Sequence, residues 1–434
     1  MTVRSSCEKV IEMNKQHVKK NFKYQSFTAL LLVLLGIGSS GLFSSVSWAQ
    51  GTGITDKVIR LGSMLPLEGD RKDTGNALKA GLEGAFNGQS VQGRRVELAA
   101  LNDFYDPAKA TEGAKKLIDQ GIFMMIGNHG TPTTKAILPL LADNKVPLIG
   151  PYTGAGLTGP GEVLNFRTSY VKEVRSVIEI AFSAGVKPTE VCAYLQNDSY
   201  GMTGLQAVRA AVSEQPNTTA LVAKLDEVMN QAGDNPSRNN LGPVGVYQRE
   251  TFAANAGYDS LKKWEKANNT TCRLVVTVGT FDAISKFIGF ARYKNEPWAF
   301  SMVSFTNTPL NTRFNEIQVT GKVIQTNVVP PLDSPLPVVE EARKAFGSRL
   351  DYVSLETYIV GKLFLAIAAA AENPLTREGF LKAARRQPYD IGGVKVDFTN
   401  GRTNGSDWVF LSYLKDDKTL VPAKPGDLEA MFKK

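Results

Sequence analysis

The chain reads as an α/β protein of two doubly wound, mainly parallel-sheet lobes, joined by a hinge that the backbone crosses several times. Three observations predict this. From Ile54 onward, short apolar runs alternate with helical patterns, as repeated βα units require. The same rhythm begins afresh after Ser169. Two later breaks, Val328-Val329-Pro330-Pro331 and Gly401-Arg402-Thr403-Asn404-Gly405, set off segments that return after the second repeat. The length agrees, because 434 residues at about 100–200 per domain give two domains and a leader.

The leader comes first. Residues 1–49 carry Arg4, Lys9, Lys15, Lys19, Lys20 and Lys23 against Glu8 and Glu12, then the apolar run Phe27–Leu35. Gly36, Gly38 and Gly41 follow, and Ser47-Trp48-Ala49 offers small residues for cleavage. That is the layout of a secretory signal, with the mature chain starting near Gln50. An uncleaved anchor is the alternative. No cysteine follows the apolar run, against a lipid-anchored start, and no later apolar stretch reads as long enough to span a bilayer. The leader holds about half of the formal +8 charge, so the remainder is too diffuse for a nucleic-acid surface.

In the first repeat, Val58–Leu65 reads as a strand and Gly75–Phe86 as a helix, with Ala77, Leu78, Gly81, Leu82 and Ala85 on one face. Arg95–Leu101 is the next strand. Asp106-Pro107 opens a helix to Gln120, Pro107 fitting its first turn. Ile122–Ile126, Pro132–Asp143 and Val146–Ile149 continue as strand, helix and strand. In the second repeat the order is helix Glu173–Ala184, strand Val191–Leu195 and helix Gly204–Val212. Leu221–Gly242, with its Gly233–Asn240 polar stretch, reads as a surface insertion. Strand Val244–Gln248, helix Asp259–Lys266, strand Leu274–Val278, helix Phe281–Tyr293 and strand Phe300–Phe305 complete it. Helices Val338–Phe346, Leu355–Ala371 and Arg377–Arg386 follow, and Val394–Phe398 with Trp408–Leu414 reads as a strand pair. The expected division is 54–169 with 330–400 as lobe 1, and 170–329 with 406–434 as lobe 2.

Ligands of open α/β sheets sit beyond the carboxyl ends of the strands, so the residues after each strand carry the functional reading. Gly127-Asn128-His129-Gly130-Thr131-Pro132-Thr133-Thr134 combines turn glycines, a cap candidate in Thr131 and a helix-opening Pro132. Such a helix start presents N–H groups and a positive dipole end, a cradle for a carboxylate. Gly150-Pro151-Tyr152-Thr153-Gly154-Ala155-Gly156 is a second loop of the same kind. Read alone, both are also ordinary helix-cap loops.

Together these loops resemble the type I periplasmic solute-binding proteins, and most of all the leucine/isoleucine/valine-binding branch that serves ABC importers. Ile59-Arg60-Leu61-Gly62 with Pro66-Leu67, Asn102-Asp103 with Asp106-Pro107, Asn165–Tyr170 and Asp198-Ser199-Tyr200-Gly201 support the resemblance in order. The resemblance implies that Thr131 and Thr133, with His129 and Gly130 in the same loop, hold a ligand carboxylate. It implies that Tyr152, Thr153 and Gly154 add contacts and that Thr74 lies on the first cleft loop. Tyr200, Phe281, Ser304 and Phe305 would cover the ligand from the second lobe. One departure stands out: Ser301–Asn307 holds no acid where amino-acid binders of this branch pair the ligand ammonium. Glu173 or Asp198 could substitute, a solvated helix start being the plainer role of Glu173. An aromatic or aliphatic acid is therefore a candidate beside an amino acid, branched-chain ones included.

The rival classes find less support. The sequence has no Gly-x-Ser-x-Gly elbow, phosphate-binding Gly-Lys-Ser/Thr loop or His-Glu-x-x-His. His129 is the one histidine beyond His17 of the leader, so an enzyme, a metal site or a cofactor is not expected. Cys192 and Cys272 sit at strand starts. In an oxidising compartment a disulfide between them is permitted, and burial as two small apolar side chains is the alternative. The expected partners are a small-molecule ligand and a membrane ABC permease, the chain itself being a periplasmic monomer. A ligand sensor for a membrane signalling partner would use the same fold.

Overall fold

β1 (Val58–Leu65) forms where the apolar run predicts it, with Ile59, Leu61, Met64 and Leu65 buried. It lies inside a six-stranded sheet with β2 (Ser90–Val91), β3 (Arg94–Asn102), β4 (Met124–Ile126), β5 (Leu148–Ile149) and β6 (Val163–Leu164), ordered β2-β3-β1-β4-β5-β6. β1 runs parallel to β3 along its whole length, from Val58 opposite Arg95 to Leu65 opposite Asn102. Only the short β2 is antiparallel to its neighbour. Helices α1 (Lys72–Phe86), α2 (Pro107–Asp119) and α3 (Thr131–Asp143) cover the sheet, Asp106 capping α2 by accepting from the Ala108 and Lys109 amides. The computed structural model describes residues 53–232, 236–306, 314, 316, 319–424 and 426–432. The expected leader, Asn307 and part of the Gly233–Asn240 stretch lie outside the described residues.

The second repeat builds α4 (Tyr170–Ser183), β7 (Val191–Gln196), α5 (Ser199–Ser213), α6 (Thr219–Met229), β8 (Val244–Tyr247), α7 (Asn255–Asn268), β9 (Leu274–Val278), α8 (Phe281–Tyr293), β10 (Ala299–Met302) and β11 (Val323–Asn327). α9 (Pro337–Phe346), α10 (Tyr352–Ala370), α11 (Arg377–Arg386) and the hairpin β12 (Tyr389–Ile391) and β13 (Val394–Val396) return to the first core. β14 (Phe410–Leu414), β15 (Leu420–Pro422) and α12 (Asp427–Met431) finish the second. Its sheet has the order β15-β14-β11-β10-β9-β7-β8, parallel from β8 to β11 and antiparallel at β14 and β15. The strands β7 to β10 are buried on both faces, which is why they read as mainly apolar runs.

Five sequence expectations change. Leu221–Gly242 is not wholly a surface insertion: α6 occupies its first part and buries Leu221, Leu225 and Val228, apolar residues at helical spacing. Val394–Phe398 and Trp408–Leu414 do not pair with each other. β13 pairs with β12 and β14 with β11, because Thr403 and Gly405 run beside Asn165 between the two sheets. Phe300–Phe305 is a strand only to Met302, and Ser304–Thr306 turns as a 3₁₀ helix. β11 was hidden by its polar Gln325, Thr326 and Asn327, which are buried and bonded, Gln325 Nε2 donating to Val303 O at 3.0 Å. Lastly, the 19-residue α10 is long and apolar enough to cross a membrane, yet it is the central helix of the first core. It packs on α1 through glycines: a Cβ on Gly81 would lie 2.4 Å from Ser354 O, and one on Gly361 2.5 Å from Ala85 Cβ.

The structure joins Cys192 and Cys272 by a disulfide, their Cα atoms 5.7 Å apart, across the starts of adjacent strands β7 and β9.

Candidate functional site

The carboxyl ends of both parallel sheets meet in one buried cluster. After β4 the chain turns through Gly127 and Gly130, at φ 65° and 85°, and enters α3. Gly130 is itself the cap residue, and Thr131 and Pro132 are the first two helical positions, so Thr131 does not cap the helix. A side chain at Gly130 would stand 2.4 Å from the Tyr105 ring as well as being strained by the positive φ. The amides of Thr131 and Thr133 are not engaged by the backbone, as expected of a first turn. The loop after β5 runs alongside: Gly130 N–H donates to Tyr152 O at 3.1 Å and Tyr152 N–H to Asn128 O at 2.7 Å. The Thr131 and Thr153 hydroxyls share a hydrogen bond of 2.6 Å. Thr133 turns its hydroxyl back onto the His129 and Gly130 carbonyls.

An aromatic cluster lies over this floor. His129 contacts Tyr105, Tyr152 and Phe305 with ring centroids 5.1, 6.1 and 5.0 Å away. Phe305 also meets Tyr152 at 5.5 Å and Tyr200 at 4.9 Å, and Tyr200 meets Tyr170 at 5.1 Å. All six rings are buried. Burial, reinforced by the Arg71 and Arg167 charges, holds the His129 imidazole well below its ordinary pKa, so the ring is neutral at neutral pH. Its Nδ1 and the Tyr170 hydroxyl have no hydrogen-bond partner. Tyr200 Oη, by contrast, donates to Gly279 O at 3.2 Å.

Beneath the rings runs a buried ionic chain. Arg167 Nε donates to Glu356 Oε1 at 2.8 Å, its Nη2 engages Glu356 Oε2, and its Nη1 donates to Ser304 Oγ at 2.9 Å. Glu173 accepts from Ser304 N at 2.8 Å, from Ser304 Oγ at 2.9 Å and from the Thr326 hydroxyl. Burial pushes the Glu173 and Glu356 carboxyls up, against the pull of Arg167. Burial opposes the Arg167 charge too, but Glu356, Tyr170 and Tyr152 hold its pKa above the usual value. Glu173 is therefore no solvated helix start. It is fully buried, and its oxygens are spoken for.

Across the mouth, Arg71 Nη2 meets Glu250 Oε1 at 3.0 Å, Arg249 Nη1 donates to Tyr105 O at 2.6 Å, and Gln196 Nε2 donates to Tyr105 Oη at 3.3 Å. Each joins an element beside the first sheet to one beside the second. Tyr105 is held in place by unusual backbone: Phe104 and Tyr105 have φ of 52° and 60°, with Asp103 Oδ1 accepting from Tyr105 N at 2.8 Å.

Of the residues singled out in the sequence, the structure brings His129, Gly130, Thr131, Thr133, Tyr152, Thr153, Gly154, Tyr200 and Phe305 together. Gly154 touches the cluster by its backbone, its carbonyl accepting from Tyr170 N at 2.6 Å. Three do not fit as expected. Thr74 is in the first turn of α1 and not on a loop, because the helix starts at Lys72. Phe281 turns to Phe314, 6.2 Å away, and makes no ring contact with the cluster. Ser304 spends its hydroxyl on Arg167 and Glu173. Sequence reasoning passed over Tyr105, Tyr170, Arg71, Arg249 and Glu356. For Tyr105 a signal existed, since it lies three residues past the end of β3, a strand end from which no residue was taken.

Among the described residues no group of three His, Cys, Asp or Glu is placed to hold a metal. A separate apolar pocket of about 550 Å³, lined by Ile54, Phe123, Leu141 and Leu375 among others, sits by the amino ends of β4 and β5, away from this cluster.

Comparison with known proteins gives a consistent picture. Residues 58–226 match the family model described as periplasmic binding protein. A solved structure described as a possible leucine/isoleucine/valine-binding protein from Rhodopirellula baltica SH 1 is 26% identical with a TM-score of 0.74, covering 86% of this chain and 98% of that one. A fatty acid ABC transporter substrate-binding protein from Thermomonospora curvata is 16% identical with a TM-score of 0.68, covering 88% and 96%. An ABC transporter solute-binding protein from Rhodopseudomonas palustris HaA2, solved with p-hydroxybenzoic acid, is 15% identical with a TM-score of 0.64, covering 85% and 96%. A search of curated protein sequences gives no match.

Proposed function

We propose that this chain, which has the type I periplasmic binding protein fold and is similar to the leucine/isoleucine/valine-binding branch, is the solute-binding component of an ABC importer. It captures a small carboxylate-bearing solute by closing its two lobes and performs no chemistry. The carrying observation is the junction of the two sheets. A helix start with free amides and the Thr131–Thr153 hydroxyl pair faces, across one buried cluster, Tyr200 and Phe305 of the other sheet. Anions are stabilised at such a helix start. Both walls supply contacts, so ligand binding favours the closed arrangement over the open one.

The lobes in this reading are 54–169 with 330–400, and 170–329 with 406–434, and the leader ends near Gln50. Export to the periplasm and a monomeric state complete the proposal. The importer role draws support from the two neighbours described as ABC transporter proteins. Fatty acid and p-hydroxybenzoic acid, named for those neighbours, share a carboxyl group with the amino acids of the branch.

The test uses the chain from Gln50, unfolded and refolded to remove any carried ligand, and melted against amino acids, aromatic and aliphatic carboxylates, amides and urea. Ligand at 100 times its Kd stabilises by about 2.7 kcal/mol, an easily read shift. Carboxylates are expected to shift the melting point. Thr131→Ala is expected to weaken the active carboxylate about tenfold while leaving the far-UV spectrum unchanged. Unaltered affinity in that variant removes the cradle, and a panel without any shift removes the carboxylate reading.

A further inference from the structure

We infer that Phe305 fills the place of a ligand ring, and that the cognate solute is an aromatic carboxylate without an ammonium group whose ring replaces the Phe305 phenyl. This rests on the solute-binding reading and names the solute class. Phe305 belongs to the turn after β10, yet its ring reaches His129 and Tyr152 of the facing loops while also touching Tyr200. A cage of rings is thereby closed around a phenyl that the chain supplies itself. Edge-on and tilted ring contacts at these centroid distances are the arrangements that aromatic quadrupoles favour, so the cage suits any ring of phenyl size.

The turn that carries Phe305 is pinned. Ser304 N and Oγ are bound to Glu173 and Arg167, and Thr306 Oγ1 donates to Val303 O at 2.7 Å and lies 3.2 Å from Gln325 Oε1. The backbone at Phe305 is fixed from both sides, so exchanging its ring for another needs only a side-chain rotation.

What the phenyl fails to do is equally informative. His129 Nδ1 and Tyr170 Oη stay buried without partners, and the Thr131 and Thr133 amides lie free at the cluster floor. A phenyl has nothing to offer these groups, whereas a carboxylate attached to a ring accepts from them. The charged groups acting on the His129 ring are the Arg71 and Arg167 guanidiniums, both positive. The carboxylates nearby are occupied: Glu356 by Arg167, Glu173 by Ser304 and Thr326, Glu250 by Arg71, and Asp198 by the Tyr200 amide and Gln196. Asp103 keeps one oxygen unpaired, and burial raises its pKa to about 7. A zwitterion would bring its ammonium beside carboxylates whose oxygens are mostly engaged, so burying it would cost more than burying the carboxylate alone.

The decisive experiment is calorimetric titration of the refolded chain from Gln50, and of its Phe305→Ala and Phe305→Leu variants, with benzoate, cyclohexanecarboxylate, 3-phenylpropionate and L-phenylalanine. Benzoate is expected to bind Phe305→Ala at least tenfold tighter than wild type, with Phe305→Leu between them. Cyclohexanecarboxylate should gain less, and L-phenylalanine should bind at least tenfold more weakly than 3-phenylpropionate. Equal or weaker benzoate binding by a folded Phe305→Ala makes Phe305 a plain wall of the site and overturns the inference. So does a preference for L-phenylalanine over its deaminated analogue. In both of those cases the solute-binding reading survives. Silence of all four carboxylates with all three proteins, alongside silence across the wider panel, overturns both.

Discussion

Asp103 is an acid held out of water at the end of β3, with one oxygen on the Tyr105 amide and the other unpaired. Burial is the main cause of its pKa rising to about 7, well above the unfolded value near 3.9. The folded state therefore binds a proton that the unfolded state has lost between about pH 4 and 7, and stability falls as pH rises through that window. Asp103→Asn keeps the oxygen that serves Tyr105 and removes the titration. Melting points of the two proteins from pH 4.5 to 8 should show a flatter curve for the variant, while parallel curves would deny that Asp103 titrates there. The cluster residues that the sequence points to are those whose place follows from local position: Thr131 and Thr153 come shortly after β4 and β5, at the carboxyl edge of the first sheet. Tyr105 is placed by two consecutive positive φ angles, and Arg71 and Arg249 by partners 179 and 144 residues away, which no local pattern encodes. The bonds of Ser304 to Arg167 and Glu173 were not legible, because composition says nothing of which neighbour claims a hydroxyl.

At the scale of elements, the α10 helix illustrates the same division. Its long, nearly unbroken apolar run made it legible, and the 3.6-residue periodicity of α1, α8 and α11 did the same for them. β2, β6 and β11 were not legible, being two-residue strands or strands with polar side chains satisfied only by tertiary contacts. Glu356, in an otherwise apolar run, is explained by Arg167, its fully buried partner from the segment before α4. Arg167→Met leaves Glu356 and Glu173 buried without their cation, and removal of one partner of a buried pair costs about 3–5 kcal/mol. Adding Glu356→Leu to that variant should recover part of the loss, because an apolar pair of similar volume replaces the ions. Denaturant melts of the single and double variants measure this. Equal stability of the two would mean that the carboxylate takes up a proton or water at little cost.

For the whole molecule, the sequence repeat and its late breaks made the two-sheet plan readable, whereas how the two sheets meet rests on contacts between residues far apart in sequence. Arg71 with Glu250, and Arg249 and Gln196 with Tyr105, join residues of the first repeat to residues of the second. In the proposed two-lobed reading these bonds favour the closed form over the open one. Removing two, with Glu250→Gln and Arg249→Ala, should cost the closed form about 1–2 kcal/mol, since each is partly exposed. X-ray scattering of the ligand-free variant should report a larger radius of gyration, and ligand affinity should fall by about three- to tenfold. An unchanged radius would mean that the rings alone set the closed form. The threading described above also bears on how the protein comes into being. The first sheet is complete in sequence by Leu164, but the helix that covers its core, α10, begins only at Tyr352. The first strands have α1, α2 and α3 beside them in sequence, but α10, the central helix of the same core, follows only after most of the second sheet. Neither core is finished by its own repeat: the first is completed by α10 to β13 and the second by β14, β15 and α12, so each depends on contacts of high sequence separation.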